Sequence, residues 1–278
     1  MIKRFWLYAM VLFFAPLFLN AQNDKPKFSG IRSMAYLGTG LMIPSSAMNK
    51  KSMIGNGVNM RVGYFQALIR NRTIGTNGTC QIGVEVRLDY TKFKKDLEAP
   101  GSLSTIKYSN GSANPATVSL KLLTAKKKPD AFQYLVGPSV SISWDQFFLN
   151  PSFLFGYASV AQEPFSYYDS LQSVSNPGLN QNLTFFSSGH ETNNGFLFSP
   201  GFKAGLRLNK VISVFTSFDY SFGSKQKFTD LLLTPLGSPD PTTGAYEFDE
   251  IKNGTIISIE RTSRFRAATM SINLAFTL

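Results

Sequence analysis

Residues 79–95 alternate with a period of two. Cys80, Ile82, Val84, Val86, Leu88 and Tyr90 fall on one face, and Gln81, Gly83, Glu85, Arg87 and Asp89 on the other. A side-chain period of two belongs to a pleated strand, so the two sets are the two faces of one β segment. In a soluble sandwich the apolar face would be core. In a membrane-spanning barrel it would meet lipid while the polar face lines the lumen. The same alternation recurs more weakly at 132–144, 147–161, 195–208, 211–223 and about 264–278, and less regularly at 34–43 and 57–69. Each segment reaches the ~9–11 residues that a tilted strand needs to cross a bilayer.

Connection lengths bear on the same choice, because spanning barrels have short turns on the periplasmic side and long loops outside. Numbering those eight segments from the inside, the connections at 70–78, 145–146 and 209–210 fall on one side. Those at 44–56, 96–131, 162–194 and 224–263 fall on the other. The expected fold is therefore all-β: a closed antiparallel transmembrane β-barrel of eight strands with four long extracellular loops and both termini periplasmic. Residues 117–125 read as part of a hairpin rising out of the membrane within the second outer loop. Ten spanning strands, with a partner around 182–187, is the alternative.

Composition agrees with a membrane setting. Only 16% of the 278 residues are charged, against roughly 25% for an ordinary soluble domain. One His and one Cys exclude an intramolecular disulfide and leave almost no soft ligands for zinc or an iron–sulfur cluster, so no metal or cofactor is expected. Residues 1–21 read as a signal peptide: Lys3 and Arg4, an apolar run from Phe5 to Leu19, and Ala21 before polar residues. That run is short of the ~20 residues of a spanning helix. Residues 22–278 then form one barrel domain. Removing the leader with Lys3 and Arg4 lowers the formal charge from +11 to +9 (11 − 2). Export makes nucleic acid an improbable partner for a chain of that sign, and acidic lipid the natural one.

The leader, the alternating strands and the terminal segment from Phe265 to Leu278 resemble the small outer-membrane barrel proteins of Gram-negative bacteria. Within that group, Tyr134-Leu-Val-Gly-Pro-Ser-Val140 and the hairpin from Gly201 to Phe215 are similar to strand sequences of the Bacteroidetes outer-membrane barrel family, related in plan to OmpA-like and OmpX-like barrels. The resemblance implies residence in the bacterial outer membrane and insertion by the barrel-insertion machinery. It implies no single activity. The chain departs from the family at its end, where Leu278 replaces the terminal aromatic and Phe276 stands two residues before it, and at 117–125, where the family usually has a full strand.

The inward-facing ionisable residues are Arg61, Glu85, Arg87, Asp89, Lys203, Arg207 and Asp219. An eight-stranded barrel is just wide enough to be filled by side chains, so mixed charges there most simply form a hydrogen-bonded plug. The competing reading is a narrow ion or solute path, although no single sign dominates as a selective ring would require. Lys92, Lys94 and Lys95 at the outer end of the third strand, and Lys121, Lys126, Lys127 and Lys128 in the hairpin that follows, could contact lipopolysaccharide phosphates. His190 beside Glu191 invites comparison with a hydrolase base, but a flexible loop supplies no fixed nucleophile. Cys80 reads as a small lipid-facing hydrophobe. Glu247, Asp249 and Glu250 match no calcium loop. Tyr64, Tyr90, Trp144, Phe147, Tyr157, Tyr220 and Phe222 fit interfacial girdles. The expected function is non-enzymatic: an envelope protein, or one presenting its outer loops to a ligand or partner. A porin-like channel or small-hydrophobe transporter, and an accessory subunit of a secretion machine, are the alternatives.

Overall fold

The computed structural model describes residues 30–48, 54–74, 78–95, 97, 103–112, 114–174 and 180–278. The leader expected at 1–21 lies outside the described residues, as do residues 75–77 of the turn expected at 70–78. The strands are β1 (Ser33–Pro44), β2 (Ile54–Ile74), β3 (Gly78–Lys95), β4 (Lys107–Tyr108), β5 (Ala116–Thr117), β6 (Lys121–Thr124) and β7 (Asp130–Trp144). They continue as β8 (Phe147–Gln162), β9 (Phe165–Leu171), β10 (Gln181–Ser188), β11 (Glu191–Arg207), β12 (Ile212–Thr234), β13 (Ala245–Tyr246) and β14 (Thr255–Thr277). A short helix α1 spans Phe248–Lys252.

Eight long strands close a ring in the order β1, β2, β3, β7, β8, β11, β12, β14 and back to β1. Every neighbouring pair is antiparallel. Closure runs from Met34 opposite Thr277 to Pro44 opposite Ala267. Burial inverts that of a soluble protein. Along β2, Arg61 is 2% exposed and its neighbour Val62 is 59% exposed. Leu37, Leu41, Leu88, Phe202, Met270 and Ile272 also project outward. A continuous apolar outer wall around a closed, edgeless ring is stable only against acyl chains, so the ring crosses a bilayer with its strands.

Two turns at one end are fixed locally. Asp145, between β7 and β8, has φ 47°, a left-handed conformation that Asp tolerates better than most residues. Between β11 and β12, Asn209 Oδ1 accepts the backbone N–H groups of Val211 (2.8 Å) and Ile212 (2.7 Å). The barrel thus has a short-turn end and a loop end.

Beyond the loop end, β12 and β14 continue pairing from Lys225 opposite Arg264 to Thr234 opposite Thr255, after a register shift between Phe222 and Lys225. There β10 adds to β12, β9 to β10 and β6 to β9, which makes a five-stranded sheet β14-β12-β10-β9-β6. A smaller sheet joins β13, β4 and β5. Between them and α1 lies a second apolar core that includes Leu103, Tyr108, Val118, Phe165, Phe185, Phe186, Leu233 and Ile251. The long connections are a folded cap, not solvated tips. Asp169 Oδ2 ties two of them together by accepting the backbone N–H of Ser119 at 2.7 Å. At the cap's edge, the backbone amides of Thr243 and Thr242 hold the Asp240 carboxyl below its ordinary range.

Residues 117–125 do not span the barrel, and only their first residue belongs to a pairing within their own loop. Residues 121–124 pair with β9 of the next connection, Lys121 opposite Tyr168 through Thr124 opposite Phe165, while 116–117 pair back onto β4. The segment around 182–187 that would have supplied a tenth spanning strand is β10, inside the cap. The spanning count is eight.

Candidate functional site in the barrel lumen

The lumen is stacked in three layers. At the short-turn end Ile31, Met34, Phe65, Phe148 and Phe215 pack together, with Phe215 meeting the rings of Tyr36 (5.3 Å between centroids) and Phe148 (5.9 Å) edge-on. At the loop end Met42, Met48, Ile54, Phe93, Leu135, Leu154, Leu197 and Phe265 form a second apolar layer. The ionic groups lie between.

Cross-strand register sets the first contact: Arg61 on β2 stands opposite Asp89 on β3, and its Nε lies 2.7 Å from Asp89 Oδ1. Closure of the ring then brings Asp219 across from β12, and its two oxygens each accept at 2.6 Å, one from Arg61 and one from Arg87. Arg87 Nε lies 3.0 Å from Asp89 Oδ2, which completes a four-membered cycle of alternating Arg and Asp. Ser217 accepts from Arg61 at 2.6 Å and Ser199 from Arg87 at 2.9 Å. Beside this cycle the Lys203 ammonium pairs with Glu85, whose other oxygen accepts from the Tyr36 hydroxyl. Lys203 Nζ also lies 5.2 Å from the centre of the Tyr36 ring. The Tyr36 ring lies across Gly63, where a β-carbon would come within 2.1 Å of Tyr36 Cζ, so the backbone there must stay bare.

Three cations (Arg61, Arg87, Lys203) and three carboxylates (Glu85, Asp89, Asp219) therefore cancel inside the bilayer span. Neutrality and pairing of every charge are what make such a cluster tolerable, since an unpaired buried charge costs several kcal/mol, on the order of 3–5. Of the seven inward residues named from the sequence, the structure brings these six together. Arg207 lies apart, toward the short-turn end, where it donates to Ser143 Oγ at 2.7 Å. Sequence reasoning missed Tyr36; its shared parity with Met34 and Met42 on β1 was the available signal.

The lysines named from the sequence do not form one site. Lys92 and Lys94 project outward at the top of β3. Lys95 is tied to the Ala125 carbonyl. Lys127 sits 3.1 Å from Glu163, and that hydrogen bond and charge hold its ammonium above the ordinary lysine range. Lys126 and Lys128 are exposed, and Lys121 lies on β6 in the cap. His190 Nδ1 is 3.8 Å from Glu163 Oε1, and among the described residues no hydroxyl or thiol is hydrogen-bonded to it. Glu250 Oε2 accepts the backbone N–H of Glu247 at 2.9 Å, which places these two acids in the cap of α1. Cys80 is half-buried on the outward face of β3. The aromatics Tyr64, Trp144, Phe147, Tyr157, Tyr220 and Phe222 face outward.

No protein-family model matches the sequence, and no curated protein matches it. Among solved structures, the attachment invasion locus protein Ail of Yersinia pestis aligns with 90% of this chain and 98% of its own, at 10% identity and a TM-score of 0.38. A major outer membrane protein of Thermus thermophilus aligns with 87% of this chain and 98% of its own, at 10% identity and 0.38. The outer membrane protein OprG of Pseudomonas aeruginosa aligns with 91% of this chain and 99% of its own, at 8% identity and 0.36. These outer-membrane proteins are what the chain is similar to in architecture.

Proposed function

We propose that the chain is a non-enzymatic outer-membrane barrel protein whose spanning part is a closed anchor and whose folded cap is the working surface, presented to a ligand or a neighbouring envelope protein. The carrying observation is the neutral ion cluster sealed between two apolar layers. A conduit needs a continuous polar path with sites weak enough for an ion to leave. Here a permeating ion would have to enter apolar packing at either end and break paired charges in between. The cap supports the second half of the reading. Among the described residues its sheet has an open edge on each side, β6 and the upper part of β14, with Leu123 62% and Ile256 65% exposed there. Open edges with apolar side chains are typical places for another chain to dock.

Planar-bilayer recording of the purified protein tests the anchor. The expected trace is silent. Single-channel steps that shift when Arg87 or Asp89 is substituted would overturn the closed reading and favour a narrow channel.

A further inference from the structure

Three cations that the ion network does not use converge outside the barrel, on the wall of β12 and β14 at the loop end. Lys225 stands directly opposite Arg264 across the strand pair, and Arg266 follows on the same outward face. Like charges in directly opposed positions repel. Nothing nearby relieves them. Among the described residues none of the three has an ion-pair partner, and the carboxylates above them are already taken, Glu260 by Lys227 and Asp230 by Arg261.

These residues line one cleft of about 310 Å³ with Ser45, Thr262 and Ser263. It forms because β1 stops at Pro44 while β14 continues, so that beyond the bond from Ser45 N to Arg266 O the edge of β14 has no neighbouring strand among the described residues. Three cations without an ion-pair partner at one notch ask for an acceptor-rich anion. The wall below is greasy: Tyr220, Phe222, Met270 and Ile272 project outward from the same two strands. An anion held here therefore sits at the rim of the acyl belt.

We propose that this notch binds the phosphorylated headgroup of a membrane glycolipid, with Lys225, Arg264 and Arg266 on the phosphate, Ser45 and Thr262 facing the sugar end, and the acyl chains along the wall of β12 and β14. The ligand is an amphiphile because cations and apolar wall are contiguous. Phosphate is favoured over a carboxylate because it offers enough oxygens to satisfy three separate donors at once. The proposal rests on the reading of the chain as an outer-membrane barrel and extends it by a ligand site that does not involve the lumen.

The test uses the chain from residue 22 refolded into phosphatidylcholine nanodiscs and titrated with diphosphoryl lipid A, bound lipid being counted by native mass spectrometry. The triple variant Lys225→Gln/Arg264→Gln/Arg266→Gln should bind roughly 10- to 100-fold more weakly, given the usual contribution of each basic residue at an anionic surface. Lys252→Gln, in α1 of the cap, should bind as the parent does. Arg264→Lys, which keeps the charge, should retain most of the affinity. Dephosphorylated lipid A should bind poorly to parent and triple variant alike. Equal binding by parent and triple variant would overturn the site, as would tight binding of the dephosphorylated lipid. Inorganic phosphate is the probe for a free anion. If it displaces lipid A at equal phosphate concentration, the notch takes the ion and not the lipid, and the proposal falls. Heat-dependent gel mobility reports folding of each variant, and bilayer silence is read separately, so failure of the notch and failure of the closed anchor are distinguishable.

Discussion

Asp219 holds the lumen cluster together, because it is the one carboxylate that reaches both guanidiniums from the far wall, at 2.6 Å to each. Asp219→Asn removes a charge without changing shape and leaves Arg61 and Arg87 sharing Asp89 alone. Breaking a buried pair in this way costs about 3–5 kcal/mol, and a loss of that size is expected in urea unfolding from phospholipid vesicles. A loss under ~1 kcal/mol would mean that the cluster is hydrated and its pairs weak. Which residues are inward is legible in the sequence, because one well-alternating strand fixes the parity of all its members: Glu85, Arg87 and Asp89 sit on one face of β3 whatever surrounds them. Who pairs with whom is not legible. Arg61 and Asp219 lie 158 residues apart and meet only because the ring closes. Tyr36 is harder still, since an aromatic on a spanning strand is more often an outward anchor, and its inward place rests on the parity of β1 and on the room left by Gly63.

At the level of elements, the spanning strands are legible and the cap is not, for one physical reason. A strand between lipid and a filled lumen must alternate, whereas a strand in the cap is shaped by partners on other loops. The alternating segment at 211–223 extends to Thr234, and that at 264–278 begins at Thr255, because β12 and β14 go on pairing where no lipid demands the pattern. The four residues of β6 carry no local sign that they pair with β9. The cap core should therefore be separable from the barrel. Phe186, buried against Phe165 (5.9 Å between ring centroids) and Tyr167 (6.3 Å), is the test. Phe186→Ala removes a large core side chain, at a local cost of about 3–5 kcal/mol. Amide exchange in β9 and β10 is expected to accelerate while that in β2 and β3 is unchanged. Equal acceleration in both would show that cap and barrel open together.

The whole molecule thus consists of an edgeless ring and an edged sheet that share two long strands. A closed ring gives up no strand without breaking two ladders, and its polar backbone has no alternative partner in lipid, so it unfolds as a unit. Among the described residues the cap sheet has two open edges and a separate core. It is therefore expected to unfold first. Trp144, at the short-turn end of β7, is the only tryptophan after residue 21, the other being Trp6. Its fluorescence consequently reports the ring and is blind to the cap. In urea titrations from vesicles, far-ultraviolet circular dichroism should show an early loss of strand signal that Trp144 fluorescence does not register, followed by a second transition seen by both. Limited trypsin digestion placed between the two should cut the cap and leave a ring that still migrates as a folded, heat-modifiable band. If instead the two probes trace one coincident transition, the upper halves of β12 and β14 couple sheet to ring tightly enough to make them one cooperative body, and a partner docking on either open edge of the cap would then be felt through the lumen cluster as well.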